Sequence, residues 1–472
     1  MDPVIDPLAD RLHALAARSF LEQPVPGLAV GVVRDGALAW TGSFGFADRG
    51  AGRPIGPDTL FRIASITKSF TATAILQLRD DGRLRLDDPL VGHLPEARAI
   101  TNPFGPIEEV TIRRLLTHSA GMPIGGVPGG DPWQSDDLSE DRLLAALGRL
   151  TLPGRVDSGW RYSNLGYELL GAVVSRLSGE PYARYLERAI LEPAGLCSTT
   201  FEPTGSLAER IATGYGPGRF ADDVAVSPPY DPATIQPDGG LWSSVEDLAR
   251  WLTLHSRTAD DDRRGEDGRL LDGRTLREMQ RPAVIANDDW TYAQGFGWGT
   301  IRLSGASWLG HTGSLNGYRA IVRFRPAERL GVIALVNGSI RPNTLAHEIA
   351  TIVLEAHRAA APEVPASPPA AVPDGWRELL GIYREDDYGF GLRFEARGGK
   401  LVLVNEDDPT DRATLVPSGT GSGDVDPDAL TFTMVDGDSA GEPVTFLRNA
   451  AGRIAAVNVS GTPLFRLAYV ER

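Results

Sequence analysis

The sequence predicts an α/β (α+β) protein, with an antiparallel sheet flanked by helices, an inserted helical lobe and a small C-terminal antiparallel β-barrel. Near the N-terminus, two apolar strands surround a turn at Asp35 and Gly36. Strand-like segments return at residues 295–336, so the mainly helical stretch between them fits a lobe inserted into one sheet. After an Ala/Pro-rich stretch, short β-type segments alternate with Gly, Asp and Pro, which is typical of a small barrel.

These patterns divide the 472 residues into a first domain at 1–358, a semi-rigid Ala/Pro linker at 359–373 and a barrel domain at 374–472. The helical lobe occupies roughly residues 80–235. Apolar periodicity predicts helices at 7–22, 66–78, 111–121, 165–177, 239–252 and 344–359, and Ser244 and Asp247 are the expected capping pair of the helix at 239–252. It predicts strands at 28–42 (a hairpin), 296–303, 317–324, 330–336, 401–404, 430–435, 444–447, 454–459 and 464–469. Residues 122–138 are rich in Gly, Pro and Asp and form a loop long enough to shape a pocket mouth.

Composition excludes several classes of protein. A formal net charge of −15 argues against a nucleic-acid surface. The single Cys197, expected to be a small buried thiol, excludes an intrachain disulfide and a cysteine zinc cluster, and no histidine has metal-ligand spacing, so neither metal nor cofactor is expected. The N-terminal residues lack a secretory pattern and no apolar run is long enough to span a membrane, so we expect a cytoplasmic, unanchored protein.

The stretch around Ser65 carries the first chemical signal. Ser65 and Lys68 stand one helical turn apart, on one face of the helix predicted at 66–78. A serine hydroxyl needs a base to become a nucleophile, and a buried lysine can be that base. Two such common residues also meet by chance, but Lys68 and Lys400 are the only lysines among 47 basic residues. Because arginine supplies charge but cannot give up its proton, this composition favours a chemical role for Lys68.

Two further motifs fit the same site. Tyr162 and Asn164 lie in a loop before a helix, where the tyrosine can relay protons and the amide can bind a substrate amide. The second motif is His311, Thr312, Gly313 and Ser314, placed between the strands at 296–303 and 317–324. Gly313 permits close backbone approach, and the backbone amides of Ser314 and Ser65 can form an oxyanion hole. Taken singly, each motif also fits an ordinary helix-opening loop or a surface turn.

Together the ordered motifs Ser-x-x-Lys, Tyr-x-Asn and His-Thr-Gly resemble the signature of the penicillin-binding-protein and class C β-lactamase-like serine hydrolases. The resemblance covers about residues 5–358 and includes framework segments at 115–121 and 238–244. It implies a β-lactamase/transpeptidase-like fold in which Ser65 is acylated, Lys68 and Tyr162 transfer protons, and Asn164 and the His311–Ser314 motif contact the substrate. The segment at 381–384 resembles the start of the lipocalin-like barrel that some members carry.

The histidine of the third motif narrows the expected function. β-Lactamases and carboxypeptidases usually have lysine there, whereas His311 is mostly neutral at pH 7. Relatives with histidine include D-amino-acid peptidases, esterases and the standalone penicillin-binding-protein-type thioesterases, which cyclise nonribosomal peptides. The resemblance to the last group implies that a peptidyl thioester with a D-configured C-terminal residue, free or on a carrier protein of a peptide synthetase, is converted to a macrolactam. The alternative is a D-specific peptidase or esterase, in which water attacks instead.

Overall fold

The computed structural model describes residues 2–23, 25–125, 139–217, 224–227, 236–256, 270–360, 374–384, 391–397, 399–405, 412–418, 430–437 and 439–466. The chain divides into two compact units, Met1–Ala360 and Ala361–Arg472. Most of the predicted pocket loop (126–138) and of the linker (361–373) lies outside the described residues.

The first unit combines a large sheet with helices on both of its faces. Its α-helices are Ala9–Glu22 (α1), Thr67–Asp80 (α2), Leu90–His93 (α3), Ile112–Leu116 (α4), Glu140–Ala146 (α5), Asn164–Ser178 (α6), Tyr182–Leu186 (α7), Gln236–Gly239 (α8), Val245–His255 (α9), Gly273–Gln280 (α10) and Asn343–Ala360 (α11). Its strands are Gly27–Arg34 (β1), Ala37–Asp48 (β2), Arg53–Pro54 (β3), Phe61–Arg62 (β4), Tyr215–Pro217 (β5), Val224–Val226 (β6), Trp242–Ser243 (β7), Val284–Ile285 (β8), Tyr292–Gln294 (β9), Gly299–Leu303 (β10), Ala306–Leu315 (β11), Tyr318–Arg325 (β12) and Leu330–Val336 (β13).

Nine of these strands form one antiparallel sheet in the order β3-β2-β1-β13-β12-β11-β10-β9-β8. The N-terminal hairpin joins the late strands through β1 and β13, which pair from Leu28 opposite Val336 to Arg34 opposite Leu330. Asp35 and Gly36 both have positive φ, as the tight turn requires, because a two-residue hairpin loop matches the strand twist only in that conformation. The structure confirms the predicted fold class, including one sheet built from the two ends of the first unit.

Alternate residues of the sheet supply two separate cores. Val30, Val332 and their neighbours on one face pack against α1 and α11. Ala29, Ile333 and their neighbours on the other face pack against the helices that follow β3, with α2 at the centre. Nearly all of α2 is buried, from Thr67 to Leu78, so packing on all sides fixes the helix and the side chains that it carries.

Three predictions for the first unit were wrong in detail. Residues 311–314 lie between the two neighbouring strands as expected, but they belong to a further strand, β11, that was not predicted, because the glycines of Ala306–Leu315 weaken its strand pattern. The helix expected to start at 239 begins at Val245, although Ser244 caps it as predicted by accepting a hydrogen bond from the Asp247 amide (3.2 Å). Cys197 is exposed and not buried, because it follows the left-handed Gly195 in a surface turn.

The second unit is a closed eight-stranded barrel, each strand pairing with its sequence neighbours and the last with the first. Its strands are Gly381–Arg384 (β14), Gly391–Arg397 (β15), Lys400–Asn405 (β16), Arg412–Pro417 (β17), Thr431–Met434 (β18), Pro443–Arg448 (β19), Ile454–Val459 (β20) and Thr462–Arg466 (β21). Five of them match predicted segments, and the barrel itself is confirmed. Aromatic rings, among them Tyr383, Phe394 and Phe446, fill the interior.

Across the described residues, the helices are too short or too polar to cross a membrane.

Candidate active site

Ser65 lies at the entrance to the buried helix α2. It sits in a single 3-10 turn, Ala64–Ile66, directly before Thr67, and it is half-buried. Ala64 takes a left-handed conformation (φ 46°), which is unusual for a residue with a side chain. The turn therefore presents the Ser65 hydroxyl beside the start of α2, where free backbone N–H groups and the helix dipole favour negative charge.

Lys68 is fully buried and polar atoms surround its amino group on several sides. Nζ lies 3.2 Å from Ser65 Oγ, 2.8 Å from Asn164 Oδ1 and 2.7 Å from the carbonyl oxygen of Asp238. A carboxylate oxygen of Asp238 lies 3.4 Å from Nζ. The structure thus brings the two residues of the first motif within hydrogen-bond distance and adds the amide of the second motif.

The second motif stands at the N-terminus of α6. Ser163 caps this helix by accepting a hydrogen bond from the Gly166 amide (2.9 Å), so Tyr162 precedes the helix and Asn164 opens it. The backbone amide of Asn164 donates a hydrogen bond to the carbonyl oxygen of Ile124 (2.7 Å). The Tyr162 ring lies next to Lys68, with Nζ 5.0 Å from the ring centroid. The Tyr162 ring is therefore a direct neighbour of the Lys68 amine.

The third motif lies on β11, which runs against the turn that carries Ser65. A Cβ atom on Gly313 would stand 2.1 Å from the carbonyl oxygen of Ile63, so only glycine lets the strand come this close. Leu315 packs on Ala64 in the same region. Thr312 is half-buried and Ser314 is exposed.

His311 is buried and uncharged. Its Nδ1 lies 2.7 Å from the Thr312 carbonyl oxygen, which can only accept, so Nδ1 carries the proton and Nε2 is an acceptor. Burial, and then the positive charge of Lys68, lower the pKa of His311 to about 3. The His311 ring centroid is 6.3 Å from that of Tyr162, so all three motifs meet in one place.

Two buried carboxyl groups in the site were not predicted as functional. Asp238 was recognised only as part of a framework segment, and Glu168 was not recognised at all. Burial raises the pKa of Asp238, against the lowering effect of Lys68. Burial, and then the charge of Asp238, raise the pKa of Glu168 well above its usual range. The sequence signal was faint, since it consists of an acidic residue in each of two apolar segments.

Aromatic side chains extend the site beyond Tyr162. Trp160 lies between Tyr162 and Tyr292, with ring centroids 6.1 Å and 5.5 Å apart respectively. Among the residues the structure describes, no cluster of three or more His, Cys, Asp or Glu side chains is arranged to hold a metal ion.

A buried lysine against a serine at a helix start, within this sheet-and-helix fold, defines a serine hydrolase or acyltransferase. The chain belongs to the β-lactamase family, whose model, described as Beta-lactamase, matches residues 5–356. Members of this family, together with the penicillin-binding proteins, are serine hydrolases and acyltransferases.

Individual relatives cover different parts of the chain. Esterase EstB of Burkholderia gladioli is 33% identical over 279 residues, which are 52% of this chain and 69% of the esterase. The solved structure of SurE is 26% identical with a TM-score of 0.62, and the match covers 98% of this chain and 100% of that one. A D-stereospecific amidohydrolase from Streptomyces sp. is 26% identical with a TM-score of 0.59, over 73% of this chain and 98% of that one.

Proposed function

We propose that this chain takes a peptidyl (thio)ester with a D-configured C-terminal residue onto Ser65 and releases the peptide by head-to-tail macrolactam formation. One observation carries the acyl-transfer part of the proposal, namely the fully buried Lys68 amine 3.2 Å from Ser65 Oγ. The D-configuration and the cyclisation rest on the ordered motifs with histidine at 311 and on the appended barrel, and the amidohydrolase relative supports the D-configuration.

In the first half-reaction, Ser65 Oγ attacks the carbonyl carbon and the bond to the leaving sulfur or oxygen breaks. The serine proton passes to the Lys68 amine, and Tyr162 carries a proton towards the leaving group. In the second half-reaction, the N-terminal amine of the peptide attacks the ester, the bond to Ser65 Oγ breaks, and the proton lost by the amine returns to the serine. Burial raises the pKa values of Asp238 and Glu168, so two carboxyl groups that can hold a proton lie close to Lys68.

The neutral His311 supports an acyl substrate without a free carboxylate. A lysine in this position would add a cation to hold such a carboxylate, whereas the His311 ring offers only an acceptor to the substrate. A peptidyl thioester has no C-terminal carboxylate, so it fits this site better than the substrates of a carboxypeptidase or a β-lactamase.

The second candidate is a D-specific peptidase or esterase, in which water deacylates Ser65. The names of two relatives favour it, since one is an esterase and the other a D-stereospecific amidohydrolase. Both candidates share the first half-reaction and differ in the group that attacks the acyl-enzyme.

The test is a product analysis on the purified chain. A linear peptide with a free N-terminus and a C-terminal D-residue is supplied as its N-acetylcysteamine thioester, with the C-terminal L-epimer in parallel. The proposal expects a cyclic product from the D-epimer, little reaction of the L-epimer, and a transient mass increase on Ser65. Linear acid alone would establish the hydrolase instead, and equal use of both epimers would remove the stereochemical claim. Repeating the assay with the peptide on a carrier protein tests the proposed partner.

A further inference from the structure

His118 lies in the segment that follows α4 and is almost completely buried, with 2% of its surface exposed. Its backbone is left-handed (φ 58°), a conformation that a residue with a side chain adopts at some cost in energy. Its ring centroid is 4.5 Å from that of Tyr162 and 5.2 Å from that of Tyr167. A polar ring that is buried on a strained backbone implies an interaction that compensates for both costs.

This interaction is found in the loop that carries the second motif. The Arg161 amide donates to the His118 carbonyl oxygen (2.7 Å), and the Ser163 amide donates to His118 Nδ1 (3.1 Å). These are the two residues on either side of Tyr162. One residue therefore fixes the backbone before and after the tyrosine, and through Ser163 it also fixes the start of α6, where Asn164 meets Lys68.

The ring can accept this hydrogen bond only in its neutral form with the proton on Nε2. Burial, and then the charge of Lys68, lower the pKa of His118 well below 6.5 and keep that form in place. Nε2 has no hydrogen-bond partner among the described residues, so the ring gives up one bond to keep Nδ1 for Ser163. A buried donor without a partner destabilises the folded state, a cost that an apolar side chain in this position would not carry.

We propose that His118 is a positioning residue that holds Tyr162 and Asn164 against Lys68 through its carbonyl oxygen and its Nδ1 atom. This inference rests on the proposed acylation of Ser65. A residue that only filled the core would contribute to stability, whereas His118 also sets the rate at which Ser65 is acylated at saturating substrate.

The test compares His118→Asn with His118→Gly. Both residues tolerate the left-handed backbone, but only asparagine keeps an acceptor near the Nδ1 position. Acylation of Ser65 by p-nitrophenyl butyrate is followed by p-nitrophenol release and intact mass, with the thermal midpoint measured for each variant. We expect His118→Gly to lose ~10²-fold in the saturating acylation rate, the scale of a 1 Å misplacement. We expect His118→Asn to recover most of that loss, with KM little changed in both.

The other outcomes are equally informative. Equal losses in the two variants, or a His118→Gly variant as fast as the wild type, would overturn the positioning role. If His118→Gly does not fold, His118→Asn decides alone, since a rate near that of the wild type supports the role and a large loss contradicts it. A wild type that is not modified at Ser65 would overturn the proposed function, and the inference with it.

Discussion

Gly313→Ala tests whether the close approach of β11 to the Ser65 turn is needed for acylation. The added Cβ would stand 2.1 Å from the Ile63 carbonyl oxygen and 3.0 Å from its carbonyl carbon. Both are backbone atoms, so no rotamer change can relieve the contact. The strand and the turn must therefore separate by ~1 Å or more to reach an ordinary van der Waals distance.

That separation falls where it affects the reaction most. Ile63 is two residues before Ser65, so the movement changes the position of the serine relative to the His311–Ser314 motif. A misplacement of 1 Å can lower an enzymatic rate ~10²-fold, which corresponds to ~2.7 kcal/mol in the activation free energy. We expect a loss of this size in the acylation rate, together with the ~1–3 kcal/mol of destabilisation typical of overpacking.

The assay is the time course of acyl-enzyme formation by intact mass, with thermal unfolding of the same samples. Gly331→Ala is the matched control, because Gly331 lies on β13 of the same sheet, separated from β11 by β12. Its nearest contacts are side-chain atoms, Leu252 Cδ1 (3.0 Å) and Val33 Cβ (3.2 Å), rather than backbone. It should lose stability but retain most of its acylation rate. If both variants are acylated equally fast, the backbone approach at Gly313 is not what aligns the site.

Three further predictions concern Ser65, Lys68 and two buried histidines. Ser65→Ala should abolish turnover and the covalent adduct while far-UV circular dichroism stays unchanged, and residual acylation at another residue would contradict the assignment. Lys68→Arg should be nearly as inactive as Lys68→Ala in p-nitrophenyl ester turnover, because arginine keeps the charge but cannot accept the proton; retained activity would leave Lys68 as an electrostatic anchor. Burial lowers the pKa of His255 and of His311 to about 3, so below pH 6.5 the unfolded chain binds more protons than the folded chain and stability falls. For each of the two histidines, the free energy of unfolding should fall by about 2 kcal/mol when the pH is lowered from 7.5 to 5. Urea unfolding at the two pH values measures this, and an unchanged midpoint would contradict it.

Features encoded by neighbouring residues could be predicted from the sequence. The Asp35-Gly36 hairpin and the Ser244 cap depend on turn and capping chemistry within four residues, and both are present. The one-turn spacing of Ser65 and Lys68 is of the same kind, since helix geometry alone brings them together.

Features that depend on contacts between residues far apart in the chain could not be predicted from the sequence. Asp238 reaches Lys68 across 170 positions, and His118 reaches Ser163 across 45, so no local pattern marks either residue. β11 needs glycine where it comes close to the turn that carries Ser65, and glycine lowers strand propensity. The strand was therefore not predicted from the sequence pattern. The sequence predicted a buried Cys197 because cysteine is often buried, whereas the surface turn at Gly195 leaves this residue exposed.

The neutral ring of His311 also limits what can decide between an amine and water at the acyl-enzyme. With its pKa at about 3, protonating His311 at pH 7 would cost about 5 kcal/mol, so the ring acts as an acceptor through Nε2. An attacking amine and a water molecule both have a hydrogen to donate to such an acceptor, so His311 can orient either and cannot reject one of them. The same holds for Lys68, which can take a proton from both. Discrimination must then come from holding the folded peptide near Ser65 and keeping water out. Under the proposed function, substitutions among the proton-transfer groups should accordingly change the rate of release. The ratio of cyclic to linear product should instead respond to substitutions at neighbouring aromatic side chains such as Trp160 and Tyr292, which extend the site beyond Tyr162.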